Sequence, residues 1–175
     1  MSLRVEALNP GHRPLLADFR NQHPSLVEYL KRYALRHAKK DLLARTFLAI
    51  DESESGNEAR IAGYFSLATV SVERASVESQ SDLNRLPRFP IPGVLLARLA
   101  VDSRVQGQDL GRFLFEEALG LTLQLAKAGP VAFRLLVTDA IDADAARFYE
   151  RRGLARLSDE YPCRMVLDLR PIVGL

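Results

Sequence analysis

Apolar and polar positions along the chain fall into a succession of segments, each with the period of a helix or a strand. A short helix comes first, and a clearer helical pattern follows from Ser25. Ser25 is suited to the N-cap, with Glu28 completing a capping box. Leu26, Tyr29, Leu30, Tyr33, Ala34 and His37 then share one face. Strand patterns occupy 46–50 and 61–72, and the turn-rich Glu52-Ser53-Glu54-Ser55-Gly56-Asn57 between them predicts a hairpin. Residues 76–93 are polar and contain Pro87, Pro90 and Pro92, which predicts a long loop. The nearly unbroken apolar run from Val94 to Val101 predicts a central strand buried on both faces. A polar turn, 102–107, leads to an amphipathic helix with Leu110, Phe113, Leu114, Ala118, Leu121 and Leu125 on one face, stopped by Gly129-Pro130. Beyond it the pattern predicts a strand over 132–138 and a helix over 143–152, capped by Asp142 and ended by Gly153. Strands over 154–157 and 163–169 close the chain, and a leading strand fits 4–8.

This order predicts an α/β (α+β) fold, a central mixed sheet flanked by helices in a single domain spanning 1–175. A hydrophobic content of 47% with 26% charged residues suits such a core, and nothing repeats internally. Cys163 is the only cysteine, which excludes an intrachain disulfide and fits a reducing cytoplasm. No apolar run reaches the roughly 20 residues that span a bilayer, and the start lacks a signal-peptide core, so no membrane association is expected. His12, His23 and His37 lack metal-ligand spacing, so no metal site is expected.

Charge changes the picture locally rather than in total. Lys31, Arg32, Arg36, Lys39, Lys40 and Arg45 are opposed only by Asp41 over that stretch, although the net charge is only +2. Most of these cations fall on the solvent face of the second helix. The stripe reads either as a solvated helix face or as the footprint of a polyanion.

The turn after Val101 is the first candidate for chemistry. A buried strand, a glycine-bearing turn and a helix start present main-chain N–H groups and a dipole that favour an anion. The segment Arg104-Val105-Gln106-Gly107-Gln108-Asp109-Leu110-Gly111-Arg112 sits at such a junction, and Arg104 and Arg112 can add contacts to phosphate oxygens. It contains neither a Walker loop nor a three-glycine dinucleotide fingerprint. The second candidate is Tyr149 in Phe148-Tyr149-Glu150-Arg151-Arg152-Gly153-Leu154, since a positioned phenol can protonate a leaving thiolate. No strong general base is visible. Glu73 reads as a base acting through water or as a surface carboxylate. A free α-amine, with a pKa of about 7.7–8.0 against about 10.4 for lysine, needs a base less.

The turn resembles the acetyl-CoA signature Q/R-x-x-G-x-G/A of GNAT acetyltransferases, with Arg104 and Gly107 matching and Leu110-Gly111 continuing the loop. Asp109 departs from the family's Gly or Ala, and weaker cofactor affinity is expected from it. The Tyr149 segment resembles the family's F-Y-x-x-x-G-F ending, with Leu154 in place of Phe. The resemblance implies a GNAT-like fold with a mostly antiparallel sheet and acetyl-CoA as acetyl donor. It implies that Leu99, Ala100 and Val101 hold the pantetheine arm and polarise the thioester carbonyl. The pyrophosphate would lie on main-chain N–H groups of Gln106, Gly107, Gln108, Asp109, Leu110, Gly111 and Arg112, and Tyr149 would be the catalytic acid.

Arg45-Thr46-Phe47, Gly63-Tyr64-Phe65-Ser66-Leu67-Ala68, Leu96-Ala97-Arg98-Leu99-Ala100-Val101-Asp102 and the stretch 19–34 resemble, more narrowly, toxins of GNAT-type toxin–antitoxin modules. Such toxins acetylate the α-amine of aminoacyl-tRNA and block translation. They pair with a ribbon-helix-helix antitoxin, and many form homodimers. The resemblance then implies that Lys31, Arg32, Arg36, Lys39, Lys40, Arg45, Arg85 and Arg88, with Arg151 and Arg152, meet the tRNA backbone. The alternatives are a GNAT enzyme acting on a small amine or a protein N-terminus, and a non-catalytic acetyl-CoA-binding module. A nucleic-acid-binding protein without chemistry lacks both a recognition helix and a stacking sheet.

Overall fold

Strand periodicity resolves into a mixed sheet of seven strands in the order β1-β2-β3-β4-β5-β7-β6. They are β1 (Leu3–Ala7), β2 (Arg45–Asp51), β3 (Arg60–Val72), β4 (Ile91–Val101), β5 (Leu135–Ala140), β6 (Ala155–Arg156) and β7 (Cys163–Asp168). The computed structural model describes residues 1–52, 59–77, 83–86 and 89–174. β1 with β2, β2 with β3, β5 with β7 and β6 with β7 pair antiparallel, whereas β4 and β5 pair parallel. By its internal contacts the chain forms two compact units, Met1–Ala68 with Ala97–Ala118, and Thr69–Leu96 with Leu119–Leu175.

In the first unit, the predicted hairpin forms between β2 and β3, and residues 53–58 of its turn lie outside the described residues. Opposed residues show why the register holds. Thr46 and Ser66 hydrogen-bond at 2.8 Å in the interior, and Phe47 stacks on Phe65 at 5.1 Å. The helical stretch 24–41 differs from its sequence reading. It starts at Pro24 with His23 at the cap position, so Ser25 is not the N-cap and the predicted capping box does not form. Between α2 (Pro24–Glu28) and α3 (Ala34–Arg36), and again after α3, the chain winds as π-helix, over Tyr29–Tyr33 and His37–Asp41. Tyr29, Leu30 and Ala34 face inward as predicted, while the wider turn leaves Tyr33 41% exposed. α1 (Arg13–Leu16) is the shorter helix that precedes them.

β4 starts at Ile91, within the stretch read as loop, and its two faces are not equally covered throughout. Gly93, Val94 and Leu96 are buried, but from Ala97 to Val101 only Ala100 is fully buried. The parallel ladder with β5 runs from Gly93↔Leu135 to Leu96↔Thr138, while β4 continues to Val101. Gly63 on β3 permits close approach to this end of β4, since a Cβ there would sit 2.8 Å from the Ala100 carbonyl oxygen.

α4 (Leu110–Ala128) buries Leu110, Leu114, Phe115, Ala118 and Thr122, and Leu125, predicted inward, is 48% exposed. In the second unit β5 starts at Leu135, three residues later than its pattern indicated. α5 (Ala143–Glu150) is capped as predicted, with the Asp142 carboxylate accepting from the Ala145 N–H at 2.8 Å. A last turn, α6 (Arg170–Val173), has no counterpart in the sequence reading. Among the described residues no helix is long and apolar enough to cross a membrane.

Candidate active site

Asp102 directly follows β4 and organises the turn after it. Its side chain is almost wholly buried and accepts from the main-chain N–H groups of Arg20 (3.0 Å) and Arg104 (2.9 Å). The Arg104 guanidinium grips it through Nε and Nη2, each at 2.8 Å, and reaches Asp18 through Nη1 at 2.7 Å. Arg104 therefore holds the turn against the segment around Asp18 and Arg20. Read from sequence as a phosphate contact, it has these donors engaged inside the protein. Burial of Asp102 opposes its ionisation, but the hydrogen bonds from Arg104 and Arg20 outweigh that and hold its carboxyl below the usual range.

This arrangement has a testable pH dependence. A depressed carboxylate contributes stability that is fully present above its unfolded pKa, about 3.9, and is lost as pH falls through the lower folded value. Asp102→Asn is expected to cost about 2 kcal/mol near neutral pH, the scale of charge-assisted hydrogen bonds. Thermal melts at pH 7 and down to pH 2 check this. The gap between wild type and variant should shrink below about pH 4.

After the short turn Ser103–Val105 the backbone takes positive φ twice, at Gly107 (81°) and Asp109 (57°). Around Gly107 the space is open among the described residues, with none of their atoms within 4 Å of the position a Cβ would take. Leu110 is buried and begins α4, whose first intrahelical bond here runs from the Phe113 N–H to the Asp109 carbonyl at 3.0 Å. The N–H groups of Leu110, Gly111 and Arg112 thus lack a carbonyl one turn earlier, as at any helix start. Gln106, Gly107, Gln108 and Asp109 are exposed. This combination of open space, free main-chain donors and a positive dipole fits a pyrophosphate. Arg112 is exposed and bridges to Glu116 at 2.7 Å.

Tyr149 lies on α5 in the second unit and is 8% exposed. The chain reverses directly after it. Gly153 takes φ 89°, and the Leu154 N–H donates to the Tyr149 carbonyl at 3.2 Å. That reversal is why a glycine follows the aromatic pair at this spacing. The phenol lies beside Thr138, whose hydroxyl donates to the Leu96 carbonyl at 2.9 Å. Burial pushes the phenol pKa above its ordinary value, which keeps the proton in place for donation. Glu73 is exposed just beyond β3.

Lys31, Arg32, Arg36, Lys39 and Lys40 come together as expected and line a groove of about 610 Å³. Arg13 completes it, with Pro10, Leu16, Ala17 and Leu35 also lining it. Sequence reading missed Arg13 because it precedes the cationic run, and only folding brings it beside Lys31 and Arg36. Lys31 is anchored to the Ala17 carbonyl at 2.8 Å, and Arg36 pairs with Asp41 at 2.9 Å on the surface. Arg45 is exposed at the start of β2 and is not among the groove residues. Arg85 is exposed in the second unit, lining a shallow cleft with Arg134, Asp168 and Arg170. Arg88 lies outside the described residues. Arg151 is exposed, whereas Arg152 lies over the Phe148 ring at 3.5 Å and donates to the Phe148 carbonyl.

No family model matches the chain. A tRNA-acetylating toxin from Mycobacterium tuberculosis is 30% identical over 163 residues, covering 91% of this chain and 90% of that protein. Among solved structures, AtaT complexed with acetyl-methionyl-tRNAfMet superposes with a TM-score of 0.84 at 24% identity, covering 98% of this chain and 97% of that one. AtaTR bound with AcCoA superposes with a TM-score of 0.79 at 26% identity, covering 97% and 95% of the two chains.

Proposed function

The chain belongs to the GNAT-fold tRNA-acetylating toxins, and from that membership we propose that it transfers acetyl from acetyl-CoA to the α-amine of aminoacyl-tRNA, blocking translation. The observation that carries this reading is the end of β4. Its ladder with β5 stops at Leu96, and its main chain runs on through Leu99, Ala100 and Val101 into the Gly107 turn and the start of α4.

Acetyl-CoA supplies an activated acetyl thioester. Main-chain groups of Leu99, Ala100 and Val101 hold the pantetheine arm, and an N–H there faces the carbonyl oxygen that gains charge during attack. N–H groups from Gln106 to Arg112 hold the pyrophosphate. The amine nitrogen bonds to the acetyl carbon and gives its proton to water as the carbon–sulfur bond breaks. Tyr149 donates its phenolic proton to the departing sulfur and recovers one from solvent. The cations of the Arg13–Lys40 groove bind phosphates of the tRNA and orient it without reading bases. This acceptor belongs to the cytoplasm. Family membership also supports a ribbon-helix-helix antitoxin and a homodimer as further partners.

Incubation with total charged tRNA and labelled acetyl-CoA, followed by release of the amino acids, tests the assignment. Label on α-amines is expected. Label only on free amines or protein N-termini would replace the acceptor, and no acetyl-CoA binding by calorimetry would exclude catalysis.

Asp109 provides a separate test. It holds a backbone conformation that costs a non-glycine residue about 1 kcal/mol and puts a carboxylate in the loop assigned to the pyrophosphate. Asp109→Gly is therefore expected to tighten acetyl-CoA binding, and Asp109→Asn, which tolerates the same conformation, to recover the electrostatic part of that gain. Calorimetry showing unchanged affinity in both would mean that the carboxylate does not face the phosphates.

A further inference from the structure

Arg98 is the one charged residue in the apolar run from Val94 to Val101, and sequence periodicity passes over it. A guanidinium in such a strand is expected to be paired, because removing a charge from water without compensation is costly. Arg98 is half-buried, and among the described residues no carboxylate pairs with it. Its contact is with an aromatic ring: the guanidinium carbon lies 3.7 Å from the centroid of Tyr29. Stacking uses the face of the guanidinium and leaves its in-plane N–H fork for an anion.

The support beneath it is rigid. Tyr29 is 3% exposed, stacks with Tyr64 at 6.3 Å and meets the edge of His37 at 5.5 Å. Tyr64 is in turn fixed by donation from its hydroxyl to the Leu26 carbonyl at 2.7 Å. The Tyr29 hydroxyl is buried and has no hydrogen-bond partner among the described residues. Among the described residues, then, a cationic fork with no carboxylate partner rests on a phenol whose own polar atom is unmatched. Arg98 also directly precedes Leu99, Ala100 and Val101, the stretch assigned above to the pantetheine arm.

We propose that Arg98, held flat on Tyr29, binds a phosphodiester at the 3′ end of the acceptor and so sets the aminoacyl group at the end of β4. This rests on the aminoacyl-tRNA reading and specifies how that site tells a nucleotide acceptor from a simple amine. Planar bidentate recognition of phosphate is what a stacked guanidinium offers and a lysine does not.

The test compares two acceptors carrying the same amino acids: total charged tRNA, and the aminoacyl-adenosine released from it by a pyrimidine-specific ribonuclease, which lacks every phosphate. Arg98→Gln and Arg98→Lys are each expected to raise KM for charged tRNA roughly 10-fold or more, the loss of a bidentate charged contact. Their kcat/KM on aminoacyl-adenosine and their acetyl-CoA affinity should stay at wild-type values. Equal losses on both acceptors would make Arg98 a structural residue and overturn the proposal, and so would undiminished activity on tRNA. Arg98→Lys, which keeps charge and stem, guards against misfolding of the Gln variant, with thermal melts as the check. Binding of the uncharged trinucleotide CCA separates this proposal from the reaction itself. Wild type that acetylates neither acceptor defeats the reaction assigned, whereas Arg98→Gln binding CCA as tightly as wild type defeats the anchor whatever the activity.

Discussion

Tyr149→Phe is expected to lower kcat by about 10²-fold or more, as for loss of a general acid, while the acetyl-CoA dissociation constant stays at its wild-type value. The substitution removes one oxygen and leaves the ring, which meets the Phe148 ring edge-on at 5.1 Å, so no cavity forms. The neighbouring Thr138 hydroxyl keeps its donation to the Leu96 carbonyl, which limits collateral damage to the fold. Burial raises the phenol pKa, so its proton is present at every pH below the ordinary tyrosine value of about 10. A falling limb in kcat assigned to Tyr149 should therefore lie above that value, and below it the profile should follow only the acceptor amine. Single-turnover rates of both proteins across pH decide the matter. Undiminished turnover in the Phe variant removes Tyr149 from the mechanism, and a Tyr149-dependent limb near neutrality contradicts the environment described for it.

The second large effect is expected in the Arg13–Lys40 groove. Reversing Lys31, Arg32 and Arg36 to Glu should abolish measurable acetylation of charged tRNA while acetyl-CoA binding and the melting temperature change little. These side chains are exposed, and the surface pairs of Arg32 with Glu28 and Arg36 with Asp41 are worth at most about 1 kcal/mol each. Each phosphate neutralised releases counterions, so the six groove cations together would cost on the order of 10³-fold in affinity between about 50 and 200 mM salt. The triple reversal should flatten that salt dependence as well as weaken binding. Titration of tRNA affinity against salt provides the measurement. If the variant still modifies tRNA with the wild-type salt slope, the groove is a solvated helix face and the acceptor docks elsewhere.

Much of this was readable along the chain, for reasons that differ by element. β2, β3 and α5 were placed nearly to the residue because their signals are local: alternation of apolar positions, an Asp at a cap, a glycine where φ turns positive. The stretch 24–41 is helical with Tyr29, Leu30 and Ala34 inward as its pattern predicts, and only Tyr33 departs from that face, where a π turn breaks the 3.6-residue count that assigns faces. α4 was misread at Leu125 for a related reason. Its buried positions Leu110, Leu114, Ala118 and Thr122 recur at a spacing of four, and the polar Thr122 gave no apolar signal.

The candidate site divides in the same way. Sequence by itself determined the glycine turn after a buried strand, the aromatic pair held by Gly153 and the cationic face of the second helix. Each is a pattern of neighbours and is set by local geometry. Only the tertiary structure decided which of these groups remain available to a ligand. It committed Arg104 to Asp102 and to Asp18, 86 residues away, brought Arg13 into the basic groove, and set Arg98 on the Tyr29 ring. The physical reason is that a charge chooses its partner by distance through space, and that distance exists only after residues remote along the chain have packed together.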